Sequence, residues 1–172
     1  TSDDPRIAHL SDLGVPFVVH GRASQVKTPY AWLDVNNTRA IAEATCHLIG
    51  LGHRRIALVN GQERMDFAQR RRAGFRQALQ EAGLHIDKNL IRCGDMSEPN
   101  GHAAANDLMA SNTPPTAFVA SSIVLALGVR RAVEDLGLRP GRDISIVCFD
   151  DDISYLPNRG TPPPFTTVRS SV

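Results

Sequence analysis

Along most of this chain short apolar runs alternate with amphipathic stretches, and that alternation restricts it to one class of fold. Ile56 to Val59, Ala117 to Val119 and Ile144 to Phe149 are runs rich in β-branched residues, the pattern of strands covered on both faces. Between them, Ala68, Phe75, Ala78, Leu79 and Ala82 fall on one helical stripe, and Leu125, Val129, Ala132, Val133 and Leu136 on another. Gly83 and Gly137 follow as left-handed helix caps. A further helix is expected from about Thr38 to Leu51, carrying Ile41, Ala44, Thr45, Leu48 and Ile49 and stopping at Gly52. Another begins near Ser97 as N-cap, with Pro99 in its first turn and Leu108 and Met109 on its buried side. Strands alternating with helices of this length make an α/β fold, a parallel sheet sandwiched by crossover helices.

Ahead of residue 38 the pattern thins. Val15 to His20 and Ala31 to Val35 read as strands, and two strands with one helix cannot close a core. This stretch is therefore expected to belong to a separate lobe whose other strands come from elsewhere. Gly160 to Thr167, with Pro162, Pro163 and Pro164, reads as a stiff extended crossover back to that lobe. The chain begins at Thr1 and is read as part of a longer protein.

Charge and cysteine content narrow the function. With 19 Lys+Arg against 18 Asp+Glu in 172 residues, the net charge of +1 lacks the basic excess of a nucleic-acid-binding module, so no specific DNA binding is expected of this chain alone. No run approaches the ~18 apolar residues of a membrane span. Cys46, Cys93 and Cys148 form no Cys-x-x-Cys pair, which argues against a secreted disulfide framework and for a reducing compartment, the cytoplasm.

Several motifs reduce to structural readings. Gly50-Leu51-Gly52-His53-Arg54-Arg55 opens like a dinucleotide fingerprint but lacks its third glycine and lies between a helix and a strand, the reverse of the order that aims a helix N-terminus at pyrophosphate. It reads as a glycine cap. The six histidines show no zinc spacing, and Asp150-Asp151-Asp152 lacks the ligand alternation of a calcium loop. No metal or cofactor is expected. No nucleophile elbow and no nucleophile beside a base is visible, so an enzyme is not expected either.

What remains is positional. Ligands of an open parallel sheet bind beyond the carboxyl ends of its strands, and here those ends lead to Asn60-Gly61, to Ser121-Ser122 and to Asp150. Arg71 shares the inward stripe of Ala68, Phe75, Ala78 and Ala82, and an arginine there must pair, because an unpaired buried charge is costly. Its partner is either a structural carboxylate or the hydroxyls of a ligand shared with Asp150. On the helix from about Ser122 to Leu136, Val124 and Leu127 lie off the buried stripe. They either pack within the lobe or offer apolar surface to a second copy of the chain.

Segments over almost the whole chain resemble the lactose-repressor (LacI/GalR) family of bacterial transcription regulators. They are Asp4-Pro5-Arg6 with Gly14-Val15-Pro16-Phe17-Val18-Val19, Leu48-Ile49-x-Leu51-Gly52-His53-Arg54-Arg55-Ile56-Ala57, Arg71-x-x-Gly74-Phe75-x-x-Ala78-Leu79, Leu138-x-Pro140-x-x-Asp143-Ile144-Ser145-Ile146-Val147-x-Phe149-Asp150-Asp151, and Thr166-Thr167-Val168. The sequence departs from the family pattern at Ser122-Ile123, where Asn-Asp is frequent, and at His20-Gly21-Arg22, where many members carry an aspartate. Gly21-Arg22 with Ser121-Ser122 looks most like regulators of α-glucoside or related oligosaccharide operons.

The resemblance implies a truncated periplasmic-binding-protein-like (type I) core. It would comprise a partial first lobe at residues 1–38, a second lobe at 39–160 and a crossover back to the first at 161–172, without the family's helix-turn-helix. It implies a cytoplasmic, homodimeric, sugar-responsive repressor that reaches operator DNA through the domain absent from this chain. A periplasmic sugar receptor of a transporter, sharing the fold, is the alternative. By the same resemblance Arg71 and Asp150 hold a sugar or oligosaccharide effector, Phe67 and Met96 form side walls over its apolar face, and Ser122, replacing a longer amide, leaves room for a larger ligand or a water.

Overall fold

The computed structural model describes residues 1–150, 152–153, 156–157 and 164–169. The chain opens with α1 (Pro5–Asp12), capped by the Asp4 carboxylate, which accepts from Arg6 N–H at 3.1 Å. Strands β1 (Val18–His20) and β2 (Ala31–Leu33) then pair in parallel, Val18 opposite Ala31, as a sheet of their own. Both expected strands form, shorter than the sequence reading.

The helix α2 (Asn37–Gly50) starts one residue earlier than expected because Asn36 caps it, its Oδ1 accepting from Arg39 N–H at 3.0 Å. There follow β3 (Ile56–Gly61), α3 (Asp66–Glu81), β4 (Ile91–Gly94), α4 (Glu98–Met109), β5 (Ala117–Ala120), α5 (Ile123–Asp135) and β6 (Ser145–Phe149), then the short antiparallel pair β7 (Asp152–Ile153) and β8 (Leu156–Pro157), and β9 (Thr166–Val168). Ser97 caps α4 and Ser122 caps α5. Gly83 and Gly137 follow α3 and α5 at φ 67° and 73°, backbone that L side chains adopt only with strain.

The main sheet is wholly parallel, in the order β4-β3-β5-β6-β9. Its residues alternate between two apolar layers. Ile56, Leu58, Ala117, Val119, Val147 and Phe149 meet Ile41, Ala44 and Leu48 of α2 and Phe75 and Leu79 of α3. Ala57, Val59, Phe118, Ala120, Ile146 and Cys148 face the other way, onto α4 and α5. Burial on both faces is why these strands read as apolar runs. Within each helical layer the backbones touch. A Cβ on Gly74 of α3 would lie 2.0 Å from Thr38 O of α2, and one on Gly128 of α5 would lie 2.1 Å from Glu98 O of α4.

Two stretches are specified further here. Val124 and Leu127 do not stand out as bare apolar surface: both are half-buried and pack against the α4–α5 layer, the two-sided packing that the sequence left open. Within 161–172, Thr166–Val168 is an edge strand of the main sheet, paired with β6. The Pro162-Pro163 part of that stretch, residue 151 and residues 170–172 lie outside the described residues.

Candidate functional site

Strand order places the site. Numbering the five main strands along the chain, the sheet runs 2-1-3-4-5, so connections diverge between β3 and β5, the position beyond whose carboxyl ends open parallel sheets bind their ligands. β3 continues through Asn60 and Gly61, two residues past the apolar run. Asn60 is buried, and its Nδ2 donates to Ala68 O at 2.8 Å, pinning the first turn of α3 to the strand end. Gly61 is needed for space: a Cβ there would lie 2.9 Å from the Phe67 ring and 3.2 Å from Met96 Sδ. Those two side chains therefore lie together over the strand end.

One turn past Phe67, Arg71 is only 8% exposed. Its hydrogen-bond partners within the protein are neutral acceptors rather than a carboxylate. Nε donates to Asn37 Oδ1 at 2.8 Å and Nη1 donates to Ser121 O at 2.5 Å. The guanidinium carbon lies 4.2 Å from the Phe149 ring centroid and 4.8 Å from that of Phe67, within cation–π range. Among the described residues Arg71 makes no ion pair within 4 Å. Its charge is thus balanced by neutral acceptors, two ring faces and the more distant carboxylates of Asp150 and Asp34. Burial pushes its pKa down to about 10, with Asp150 and Asp34 opposing the fall, so it stays protonated at neutral pH. A guanidinium carries five N–H donors, and two are engaged by the protein.

Asp150 ends β6 at φ 66°, the left-handed region, where aspartate is several-fold enriched among non-glycine residues. Its N–H donates to Val168 O at 2.9 Å, so this turn is fastened to the edge strand while the residue sits half-buried at the rim beside Phe149. Ser122 behaves differently from the other four candidates. Its Oγ accepts from Leu125 N–H at 3.3 Å as the α5 cap. The neighbour Ser121 is the one that meets Arg71, through its carbonyl, and its Oγ donates to Met96 Sδ at 3.7 Å.

Sequence reasoning missed Asn37 and Asp34. Asn37 is buried, bonds Arg71 through Oδ1 and donates from Nδ2 to Asp34 Oδ1 at 3.1 Å. Its only signal was a polar pair just inside a helix start, which reads as capping. Phe149 was read as core, and it also underlies the guanidinium. The described residues contain no cluster of three or more His, Cys, Asp or Glu able to hold a metal ion. A cavity of about 560 Å³ lies next to this cluster, between Leu33–Asn36, α2 and Phe149. Arg71 does not line it; the buried polar groups converge at the arginine instead.

A family model for a periplasmic binding protein-like domain matches residues 45–172. The HTH-type transcriptional regulator AglR of Rhizobium meliloti (strain 1021) is 43% identical over 171 residues, 99% of this chain and 48% of AglR. Among solved structures, a LacI-type transcriptional regulator of Bacillus cereus subsp. cytotoxis NVH 391-98 superposes with TM-score 0.86 at 32% identity, over 96% of this chain and 57% of that one. A complex of the transcriptional regulator CelR with cellobiose superposes at 0.84 and 33%, over 96% and 50%. The chain spans about half the length of the curated relatives it matches.

Proposed function

The chain belongs to the family of periplasmic binding protein-like domains, as an effector-binding core of LacI/GalR type, and from that premise we propose that it binds a sugar at Arg71 and thereby controls DNA binding by another domain of its polypeptide. The observation that carries the reading is the state of Arg71: buried, protonated, free of any ion pair within 4 Å among the described residues, and left with three N–H donors beyond its bonds to Asn37 and Ser121. A site with such donors beside a carboxylate suits a neutral polyol, because the fork donates to hydroxyl oxygens while Asp150 accepts from the hydroxyls. The half-buried Phe67 and Met96 supply apolar surface for the C–H face of a ring. That a neighbour at TM-score 0.84 was solved with cellobiose supports the ligand class.

In this reading residues 1–38 belong to the first lobe and 39–160 to the second, and the site forms where they meet, since Asn37 joins Asp34 to Arg71. An effector that binds one arrangement of the lobes more tightly than another shifts their equilibrium, and the DNA-binding domain reads the shift. The protein acts in the cytoplasm, as a homodimer, and catalyses no reaction; a sedimentation mass equal to one chain at high concentration would argue against the dimer. Names of regulators among the relatives support this over a periplasmic receptor, and no described helix is long and apolar enough to cross a membrane.

The test is calorimetric titration of the full-length protein with mono- and oligosaccharides, wild type beside Arg71→Ala and Asp150→Ala. Each charged hydrogen bond removed should cost about 1.5–3 kcal/mol of binding. Unchanged affinity in both folded variants would sink the site.

A further inference from the structure

Three consecutive arginines of α3 go to three different partners. Arg70 bonds Asp66, Arg71 bonds Asn37 and Ser121 O, and Arg72 Nη1 donates to Glu63 Oε1. That same Glu63 oxygen is 3.9 Å from Sγ of Cys93 in β4, the edge strand of the sheet. On this side of α3 a cavity of about 230 Å³ is lined by Asn60, Glu63, Ala68, Gln69 and Arg72. It has no lining residue in common with the larger cavity beside Phe149, and Phe67, Arg71 and Met96 do not line it. It is a space separate from the site at Arg71.

Two of the lining side chains carry a buried polar atom that bonds nothing among the described residues. Asn60 is 1% exposed, and while its Nδ2 donates to Ala68 O, its Oδ1 accepts from no group. Arg72 Nε donates to none. Buried polar atoms in folded proteins almost always find a partner, in the protein or in ordered water. One of these two is an acceptor and the other a donor, so one small molecule that both donates and accepts completes the pair. Charge selects its kind. The Arg72 guanidinium is already opposed by Glu63. Cys93, opposite Asn60 in the β3–β4 register, is a neutral thiol, since burial first and Glu63 next push its pKa up. An anion would meet Glu63 and the Asn60 oxygen, and a cation would meet Arg72, whereas a hydroxyl group suits both.

We propose that this cavity is a second binding site, apart from Arg71, for a neutral hydroxyl-bearing molecule that donates to Asn60 Oδ1 and accepts from Arg72 Nε. Two sources have that chemistry. One is ordered water, of which several fit, at a share of about 30 Å³ each in the liquid; the other is a small polyol. The occupant bonds the same amide that pins Ala68, so it braces the start of the helix that carries Arg71. That bracing bears on ligand binding only through the sugar reading above, while the site itself stands without it.

The experiment is high-resolution crystallography of the full-length protein, grown free of polyols and again with glycerol, for wild type and Arg72→Met, which keeps much of the side chain and removes Nε. The expected result is density joining Asn60 Oδ1 to Arg72 Nε in wild type and its loss in Arg72→Met. Water retained in glycerol identifies water as the occupant, and replacement by a glycerol hydroxyl identifies a polyol. Glycerol that stays unchanged in Arg72→Met is an adventitious additive only and would overturn the polyol source. No joining density in either wild-type crystal would overturn the site. A double-mutant cycle of Asn60→Ala and Arg72→Met by denaturant unfolding gives a second measure. The two side chains share no hydrogen bond, so a mediator should make the losses non-additive, by about fivefold in the unfolding equilibrium; additive losses count against one. For the bracing, Arg72→Met should weaken sugar binding severalfold while Glu63→Gln, which leaves Nε in place, does not. Equal affinity in Arg72→Met and wild type would overturn the bracing, and wild type that binds no sugar would count against the sugar reading alone.

Discussion

Phe118 in β5 and Trp32 in β2 are both aromatic residues of parallel strands, yet Phe118 is 0% exposed and Trp32 is 44% exposed. The contrast extends to the regions around them. The main sheet carries α2 and α3 on one face and α4 and α5 on the other, and among the described residues its helices leave large apolar side chains exposed only at two helix ends, Leu51 and Leu136. The stretch before α2 exposes Leu13, Val15, Val18, Trp32 and Leu33. It is tied to the rest by polar links: Ser2 N–H to Arg64 O at 3.0 Å, Ser24 N–H to Asp66 Oδ1 at 3.3 Å, and Asn37 between Asp34 and Arg71. One region is held by buried apolar area, while the other buries only Ile7 and Ala23 among its apolar side chains and leans on a few directional bonds. Asp34, Asn37 and Arg71 meet at their junction.

If that contrast is right, equivalent truncations should have unequal effects. The largest is expected for Phe118→Ala, about 3–5 kcal/mol of stability by denaturant unfolding, because that ring is fully buried in the apolar layer under α4 and α5. Leu33→Ala in β2 should stay within about 0.5 kcal/mol. Similar losses at the two positions would break the comparison.

Next comes Gly74→Ala, expected to cost about 1–3 kcal/mol. The added methyl meets the Thr38 carbonyl, a backbone group that cannot rotate away. Since α2 carries Asn37 and α3 carries Arg71, forcing these helices apart should also weaken effector binding. Loss of stability with undiminished binding would mean that the Arg71–Asn37 bond does not hold the site.

A smaller effect is expected from pH. His53 links three strand entrances of the main sheet, with Nδ1 2.8 Å from Thr116 Oγ1 and Nε2 2.9 Å from Ser145 Oγ, and burial lowers its pKa. The unfolded imidazole therefore takes up a proton before the folded one does. Its contribution is fully present above the ordinary value of about 6.5 and is lost as pH falls below it toward the folded value. The melting temperature should fall modestly between pH 7.5 and 5.5, and His53→Gln should flatten that part of the decline. An identical decline in the variant would assign it to other groups.

The smallest effect is expected for Arg39→Ala, which removes an exposed pair with Glu43 at 2.7 Å. Such pairs contribute about 0.3–0.5 kcal/mol, and a loss above 1 kcal/mol would give this exposed face of α2 a role beyond an ion pair.

Much of this was legible in the chain itself. Ile56–Val59 and Ala117–Val119 read as strands because both faces are buried, and the sequence then has no polar positions to break the run. Ser97 and Gly137 marked helix ends because capping depends on neighbours a few residues apart. Arg71 was singled out because a charged residue on an apolar stripe contradicts its surroundings. What local pattern does not encode is a partner at long separation: Asn37, 34 residues from Arg71, reads as one more polar residue at a helix start, and Ser121 enters through its carbonyl, which every residue has. The same limit explains Val124 and Leu127, since a helical stripe shows which sides are apolar but not which of them a neighbouring helix covers. Periodicity and local chemistry determined the elements, the sheet class and the one arginine out of place. Only the tertiary structure decided what neutralises that arginine, because its neighbours converge through the strand order 2-1-3-4-5, a property of crossovers rather than of any segment.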